Sequence, residues 1–451
     1  MHLVFLGGVG TVTGSKFLIQ TEKAQVLVDC GLFQGYKQLR ERNRSAPFFD
    51  PQKLDAVFLT HAHLDHSGYL PVLYQMGFRG PVYCHAATAE LCMILLPDSG
   101  RIQEEDAAFY ARHRIGKHEK PLPLYDEATA EASCRLFQPV DFEQSIAVKD
   151  IHARLQPAGH ILGAGSWCLE AEGKRIAFSG DLGRPEDVLM YPPKPMPELD
   201  MLFLESTYGD RLHETADAKM QIKEIVNQTV QSGGSVVIPT FAVGRAQVLQ
   251  YLLASLMREG QIPRLPMFLD SPMAIDVSAL YARHHNLHRL SAADCELISE
   301  SIQYMRSVEE SKSIANVRFP HIILAGSGMA TGGRVLHHLK RMLPDHRNTV
   351  LFAGFQAGGT RGAHMLAGEK KIKIHGQFVP CEARIAQLES LSGHADRDEL
   401  TAWLEAAKMK PKTPIYLVHG EAETLDRFRL HLQERTQHPI HVADQNQVLH
   451  L

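Results

Sequence analysis

Six consecutive residues, His61-Ala62-His63-Leu64-Asp65-His66, gather three imidazoles and one carboxylate. Neutral imidazole and carboxylate suit Zn²⁺ and, to a lesser degree, Mn²⁺ or Fe²⁺. His61 and His63 are close enough along the chain to share one ion, and Asp65 and His66 can face a second beside it. A solvated histidine-rich loop is the competing reading. Against it, the four residues follow Ala56-Val57-Phe58-Leu59, an apolar run that reads as a buried strand. A purely structural zinc site would be expected to use cysteine, and none is near.

Other candidates also stand at strand ends. Asp29 closes Val26-Leu27-Val28-Asp29-Cys30-Gly31, and a carboxylate buried there needs a partner. It either holds the metal loop by accepting hydrogen bonds or simply shapes a turn. His160 lies on the Gly-rich loop Ala158 to Ser166, where the backbone can bring a ring close to an ion. Asp181 follows the strand Lys174 to Phe178, and one carboxylate there can give an oxygen to each of two ions. Glu205 ends Met201 to Leu204, and His419 ends Pro414 to Val418. His394 sits in Ser392-Gly393-His394-Ala395-Asp396, before a helix. His85, ending Pro81 to His85, reads as a loop histidine. Gly7-Gly8-Val9-Gly10 opens no helix and lacks dinucleotide spacing.

The elements that must position these residues begin with three short strands, His2 to Gly8, Lys16 to Thr21 and Gln25 to Gly31. A short helix is expected over 67–76. A longer one runs from Ala86 to about Arg114, interrupted near Pro97-Asp98-Ser99-Gly100, with 101–120 as a solvated charged face. Strands are expected at 151–157, 167–171, 174–178 and 201–204. From Ala216 the chain repeats strand, loop and helix: strands at 235–239, 266–270, 321–325 and 349–354 alternate with helices, which predicts a parallel sheet. Strands return at 371–379 and 383–388, and 440–442 with 448–450 read as an edge pair. The expected division is 1–207, an inserted 208–368, and 369–451 completing the first domain.

The 451 residues carry 44% hydrophobic and 22% charged residues, ordinary for a globular protein of two or three domains. The net charge of −4 excludes a polycation that coats nucleic acid but allows a local basic groove. Seven scattered cysteines without CxxC pairing read as reduced thiols of a cytoplasmic protein. No secretory signal and no membrane span is expected.

The His-x-His-x-Asp-His stretch, with its downstream partners in order, resembles the metallo-β-lactamase superfamily. Glu205, Ser392-Gly393-His394-Ala395-Asp396 and Val418-His419-Gly420 resemble the three extra motifs of its β-CASP group of nucleic-acid nucleases. Phe241-Ala242-Val243-Gly244-Arg245-Ala246-Gln247 and the loop Ser327 to Arg334 are similar to stretches of that group's inserted cap. Val248 departs from the acidic residue many relatives carry there. A histidine at the third extra motif marks members acting on RNA, so His419 points to RNA. The chain looks like a minimal bacterial two-domain member.

The resemblance implies an α/β fold, an αββα sandwich with an inserted parallel-sheet cap. It implies two Zn²⁺ ions per chain: one on His61, His63 and His160, the other on Asp65, His66 and His419, with Asp181 bridging. The implied reaction is hydrolysis of single-stranded RNA by a hydroxide between the ions, in a cleft between the domains. Asp65 would orient the hydroxide and Glu205 would hold a histidine, unless it is a turn or cap carboxylate. His394 would protonate the leaving 3′-oxygen or hold the phosphate, unless it bonds Asp396. Ser327, Gly328, Arg245, Arg334, Arg361 and Ser392 are the candidate RNA contacts, with free amides of the loops 326–334 and 354–362 attracting phosphate. No membrane partner is expected, and a homodimer is left open. Two readings compete: a hydrolase of thioesters or lactams, and an RNA-binding scaffold without metals.

Overall fold

The computed structural model describes residues 1–113, 122–214, 216–354, 356–388 and 390–451. The chain forms two compact units, one from Met1–Leu212 with His394–Leu451, the other from His213–Gly393.

The first unit contains two seven-stranded sheets. In one, His2–Gly7, Lys16–Gln20 and Gln25–Val28 run antiparallel, and Ala56–Phe58, Val82–His85 and Phe137–Val140 continue in parallel. In the other, Ser145–Val148, Ile151–Pro157, Gly165–Ala171 and Lys174–Phe178 are antiparallel, and Met201–Glu205, Ile415–Val418 and Ile440–Val442 are parallel. The inner faces meet in one core. Ile151, Ala153 and Leu155 alternate inward from their strand while His152 and Arg154 face solvent, the pattern of a strand with one wet side. Aromatic rings fill the middle: Phe178 stacks on Phe203 at 4.5 Å, Phe17 lies 5.3 Å from Phe178, and Phe58 lies 5.0 Å from Trp167. Such rings prefer offset or tilted contacts and contribute beyond their buried area.

Three expectations for the first unit are corrected here, beginning with the helix expected over 67–76, which is two, Leu64–Ser67 and Leu70–Gln75. Helix Ala86–His113 runs through Pro97 without interruption. Its buried Leu91, Cys92, Leu95 and Leu96, and the hydrogen bond from Tyr125 Oη to Ser99, fasten both sides of the proline. The charged stretch expected over 101–120 is described only to residue 113, where Arg101 pairs with Asp98 and Glu105. The C-terminal strands do not pair with each other. Ile440–Val442 adds to Ile415–Val418, whereas Val448–His450 adds to His2–Gly7. Asn446, at φ 63, turns the chain from one sheet to the other and donates its N–H to Phe5 O.

The second unit is built on a six-stranded parallel sheet. Its strands Val236–Pro239, Met267–Asp270, Ile322–Ala325 and Thr349–Ala353 are buried along their length, as parallel strands covered on both faces must be. This unit extends past the expected boundary at 368. Arg384–Leu388 pairs in parallel with Thr349–Ala353, and Ile372, Ile374 and Val379 of the hairpin Lys371–Ile374/Gln377–Pro380 enter its core. Apolar burial and strand pairing hold the segment in the second unit.

Trp167 links the core to the site, because its indole N–H donates to Leu59 O at 3.0 Å, two residues before His61. Trp167→Phe keeps most of the packing but strands that buried carbonyl. A loss of about 1–3 kcal/mol is expected in denaturant unfolding; an unchanged midpoint would show that the bond contributes nothing.

Candidate metal centre

Every candidate ligand of the first unit lies where a strand has just ended. Asp65 and His66 sit in the first turn of helix Leu64–Ser67, directly after His63. The loop is pinned from below: Ser15 N donates to Asp65 O at 2.9 Å and Cys30 N to His66 O at 2.7 Å. Backbones approach so closely here that a Cβ on Gly31 would overlap the Asp65 carbonyl. A Cβ on Gly183, beside Asp181, would likewise overlap the carbonyl of Gly159, beside His160. These two contacts require glycine.

The side chains converge in three groups, two of which share Asp181: His61, His63, His160 and Asp181; Asp65, His66 and His419; Asp181, Glu205 and His394. His63 Nδ1 lies 3.1 Å from His61 Nε2 and 3.2 Å from His160 Nε2. His66 Nε2 lies 3.1 Å from His419 Nε2, which is 3.4 Å from Asp65 Oδ2. A tetrahedral shell with bonds of about 2.05 Å needs ligand atoms about 3.3 Å apart. Asp181 stands between the sets. Its Oδ2 is 3.3 Å from His61 and 3.7 Å from His160, its Oδ1 3.2 Å from His66 and 3.4 Å from His419. Oδ1 is buried and, despite these short distances, accepts no hydrogen bond of good geometry among the described residues.

The hydrogen-bond network sets the tautomers. Thr60 Oγ1 donates to Asp29 Oδ2 at 3.0 Å, so it must accept from His61 Nδ1, 3.1 Å away. Thr207 Oγ1 donates to Glu205 Oε2 at 2.6 Å and so accepts from His419 Nδ1 at 3.2 Å. His66 Nδ1 donates to Asp29 Oδ2 at 2.7 Å. Each of these imidazoles therefore aims the Nε2 lone pair inward, as metal-bound histidines do. The donor set fits divalent metal.

Electrostatics agree. Burial pushes His61 down to about 3, with His66 adding to it, and lowers His63 and His160 as well. Those three rings stay neutral and keep their lone pairs. His66 differs: burial opposes its charge, but Asp181 and Asp29 outweigh it and hold His66 well above the usual range, so a cation bound there would have to displace the Nε2 proton. Burial would raise Asp65 and Asp181. His419 and His66 overcome it and keep both carboxyls below the usual carboxylate range.

His394 stands beside this cluster. Its Nδ1 is 3.4 Å from Glu205 Oε1 and 4.0 Å from Asp181 Oδ2, and its ring lies 4.4 Å from that of His160. Burial lowers its affinity for a proton, but Glu205 more than compensates and lifts the pKa to about 9. Glu205 also accepts from Leu182 N at 2.6 Å, which fixes the loop bearing Asp181. Asp396 caps helix Arg397–Ala406 in a capping box with Glu399. Asp29 accepts from Thr60 N at 2.8 Å as well as from His66, so it spans both ends of the metal loop. His85 lies outside the cluster, stacked on Phe142 at 4.4 Å.

Thr60 and Thr207 were missed in the sequence. Their only signal is adjacency, one residue before His61 and two after Glu205.

The candidates of the second unit are placed differently. Arg334 Nη1 donates to Asp270 Oδ1 at 2.7 Å and Met305 O at 2.9 Å, and Nη2 donates to Arg306 O at 2.7 Å. Arg361 Nε donates to Lys373 O at 2.7 Å and Nη1 to Thr331 O at 2.8 Å. Arg245 opens helix Arg245–Arg258 with its guanidinium beside Gly354. Ser327 Oγ accepts from Thr331 N and Gly332 N, and Gly328 O accepts from Gln356 Nε2. Ser392 is buried two residues before His394, and Phe355 lies outside the described residues.

Asp29 generates a test. Asn fits the same outline and tolerates its positive φ of 59°, but brings an amide where His66 Nδ1–H needs an acceptor. Asp29→Asn should weaken metal retention against a chelator about 10–100-fold while the fold persists. Unaltered metal release would exclude Asp29 from holding the centre.

Comparison with known proteins follows the same outline. Residues 9–218 match the metallo-beta-lactamase superfamily, 246–365 the Beta-Casp domain, and 379–443 the Zn-dependent metallo-hydrolase RNA specificity domain. Ribonuclease TTHA0252 of Thermus thermophilus is 38% identical over 435 residues, 94% of each chain. Transcription termination factor FttA of Methanocaldococcus jannaschii is 32% identical over 440 residues, 93% of this chain and 67% of its own. A crystal structure of a protein of unknown function from Enterococcus faecalis V583 shares the fold, with a TM-score of 0.56, 14% identity and coverage of 100% and 99%. Matching family models across both units, a full-length relative and the converged ligand set together place this chain in the β-CASP group of the metallo-β-lactamase superfamily.

Proposed function

We propose that this chain is a ribonuclease that holds two Zn²⁺ ions and cuts single-stranded RNA internally. The observation that carries the reading is Asp181: each of its oxygens faces a different pair of histidines. One buried carboxylate shared between two ligand sets is what a binuclear phosphodiesterase centre needs. The match to an RNA specificity domain and the 38% identity to a ribonuclease support RNA as substrate.

His61, His63 and His160 would hold one ion, Asp65, His66 and His419 the other, with Asp181 serving both. Ions bound there supply Lewis-acid chemistry, acidifying water and neutralising phosphate charge. Asp65, whose side chain is 20% exposed, orients the attacking water, whose proton passes to solvent. His394, steadied at Nδ1 by Glu205, delivers a proton from Nε2 to the departing 3′-oxygen. Among the described residues no helix is long and apolar enough to cross a membrane. The seven cysteines are all free, which suits the reducing cytoplasm.

Elemental analysis tests the ligand set. Wild type should contain two zinc ions, and His61→Ala and Asp181→Ala should each lose at least one with nearly all turnover; full metal in both variants would end the assignment. Wild type should also cleave a circular RNA while leaving a thioester and a β-lactam intact. Cleavage of the linear form alone would replace the internal mode with an end-dependent one.

His394 needs a separate comparison. His394→Ala should keep both ions and its melting temperature, yet lose about 10²–10⁴-fold in RNA cleavage. Bis-p-nitrophenyl phosphate, whose leaving group needs no proton, should suffer far less. Loss of zinc would make His394 a ligand, and equal losses on both substrates would make it a phosphate contact.

A further inference from the structure

The second unit carries a charge that the whole chain hides. Residues 331–383 contain eight Lys or Arg against three Asp or Glu, within a chain of net charge −4. Two of those three acids are already engaged, Asp345 with Arg347 and Glu369 with His364. Two of the eight cations and none of the three acids lie on the hairpin Lys371–Ile374/Gln377–Pro380. Its inner face, Ile372, Ile374 and Val379, is buried in the core. Its outer face presents Lys371 and Lys373, both exposed, and Phe378, 69% exposed. Lys373 lies directly opposite Phe378 in the ladder, and Lys371 opposite Pro380. Cross-strand partners share a face, so a cation and an aromatic ring stand side by side.

A phenylalanine this exposed costs solvation and contributes nothing to the core. Beside it is a cavity of about 300 Å³, lined by Lys371, Lys373, Phe378, Thr331, Thr360 and Arg361. Its lining also includes Glu369, which is held by His364 at 2.6 Å. Arg361 braces this surface, tying the hairpin at Lys373 O to the Gly-rich loop at Ala330 O and Thr331 O. A flexible hairpin would lose entropy on binding; one fastened by a guanidinium is preorganised.

We propose that this hairpin face is a docking surface for a single RNA strand, with Phe378 as a stacking platform for a base and Lys371 and Lys373 as phosphate partners. Positive side chains tracking the backbone beside an aromatic ring are how sequence-tolerant single-strand binders work. The proposal rests on the ribonuclease reading and adds a strand-holding site outside the metal centre. It also gives Arg361 the role of a positioning residue instead of a phosphate grip.

Binding of a 2′-O-methyl RNA of about 30 nucleotides, which has the strand chemistry but resists cleavage, to the zinc-loaded full chain tests it. Lys371→Ala/Lys373→Ala should weaken binding about tenfold and reduce the log–log salt slope by about 1.4, at about 0.7 per phosphate contact on a single strand. Phe378→Ala should weaken it by a similar factor, and Phe378→Trp should restore it. The ratio of RNA cleavage to bis-p-nitrophenyl phosphate turnover should fall in the first two variants. Lys312→Ala, an exposed lysine elsewhere on the same unit, sets the baseline. The proposal is overturned if the hairpin variants match that baseline, or if Phe378→Ala weakens inorganic polyphosphate binding as much as RNA binding. Wild type that cleaves RNA while all variants behave alike removes only the docking surface. Wild type that neither binds nor cleaves any RNA removes the ribonuclease reading with it.

Discussion

A carboxylate buried like Asp181, 2% exposed, cannot stay ionised in a protein interior unless positive charge surrounds it. Five imidazoles lie within 4.0 Å of its oxygens. The rings come from separate loops and His66's short helix, so both sheets of the first unit must end their strands at one rim for the cluster to exist. Divalent ions bound there would complete what imidazoles only begin, because a neutral ring offers a lone pair and no charge.

This constraint explains features that would otherwise look incidental. The loops must pack backbone against backbone, which excludes a Cβ at Gly31 and Gly183. Asp29 and His419 take left-handed conformations unusual for residues other than glycine, at φ 59 and 50. Such strain of order 1–3 kcal/mol persists only where surrounding bonds over-determine it. Here Asp29 is fixed by Thr60 and His66, and His419 by Gly8 O and Thr207. The second ring of side chains, not the ligands alone, sets the geometry.

Much of this was legible in the sequence because the information is local. His61 to His66 declares itself within one loop, and each later candidate follows a segment that reads as a strand, alternating before His160 and apolar before His419. The parallel sheet of the second unit showed in its alternation of strand and helix. What stayed hidden depends on distant partners. Nothing near Arg334 announces Asp270, 64 residues away, so its charge was readable and its commitment was not. The strands Phe137–Val140 and Ser145–Val148 are short and partly polar and gave no period to detect. The hairpin at 371–380 reads as strand either way; only the burial of Ile372 and Ile374 decides which unit owns it. Thr60 and Thr207 act through one hydroxyl each, which has no sequence pattern at all.

The pair His66–His419 spans 353 residues. At about 5–20 residues per second, a ribosome takes roughly 20–70 s to travel that distance. Throughout that interval the nascent polypeptide carries the histidine-rich loop without the residue that completes the cluster of Asp65, His66 and His419. The interval is long compared with domain folding, which takes microseconds to seconds. Each molecule therefore completes this cluster only late in its own translation, and any fragment truncated before His419 is made without it.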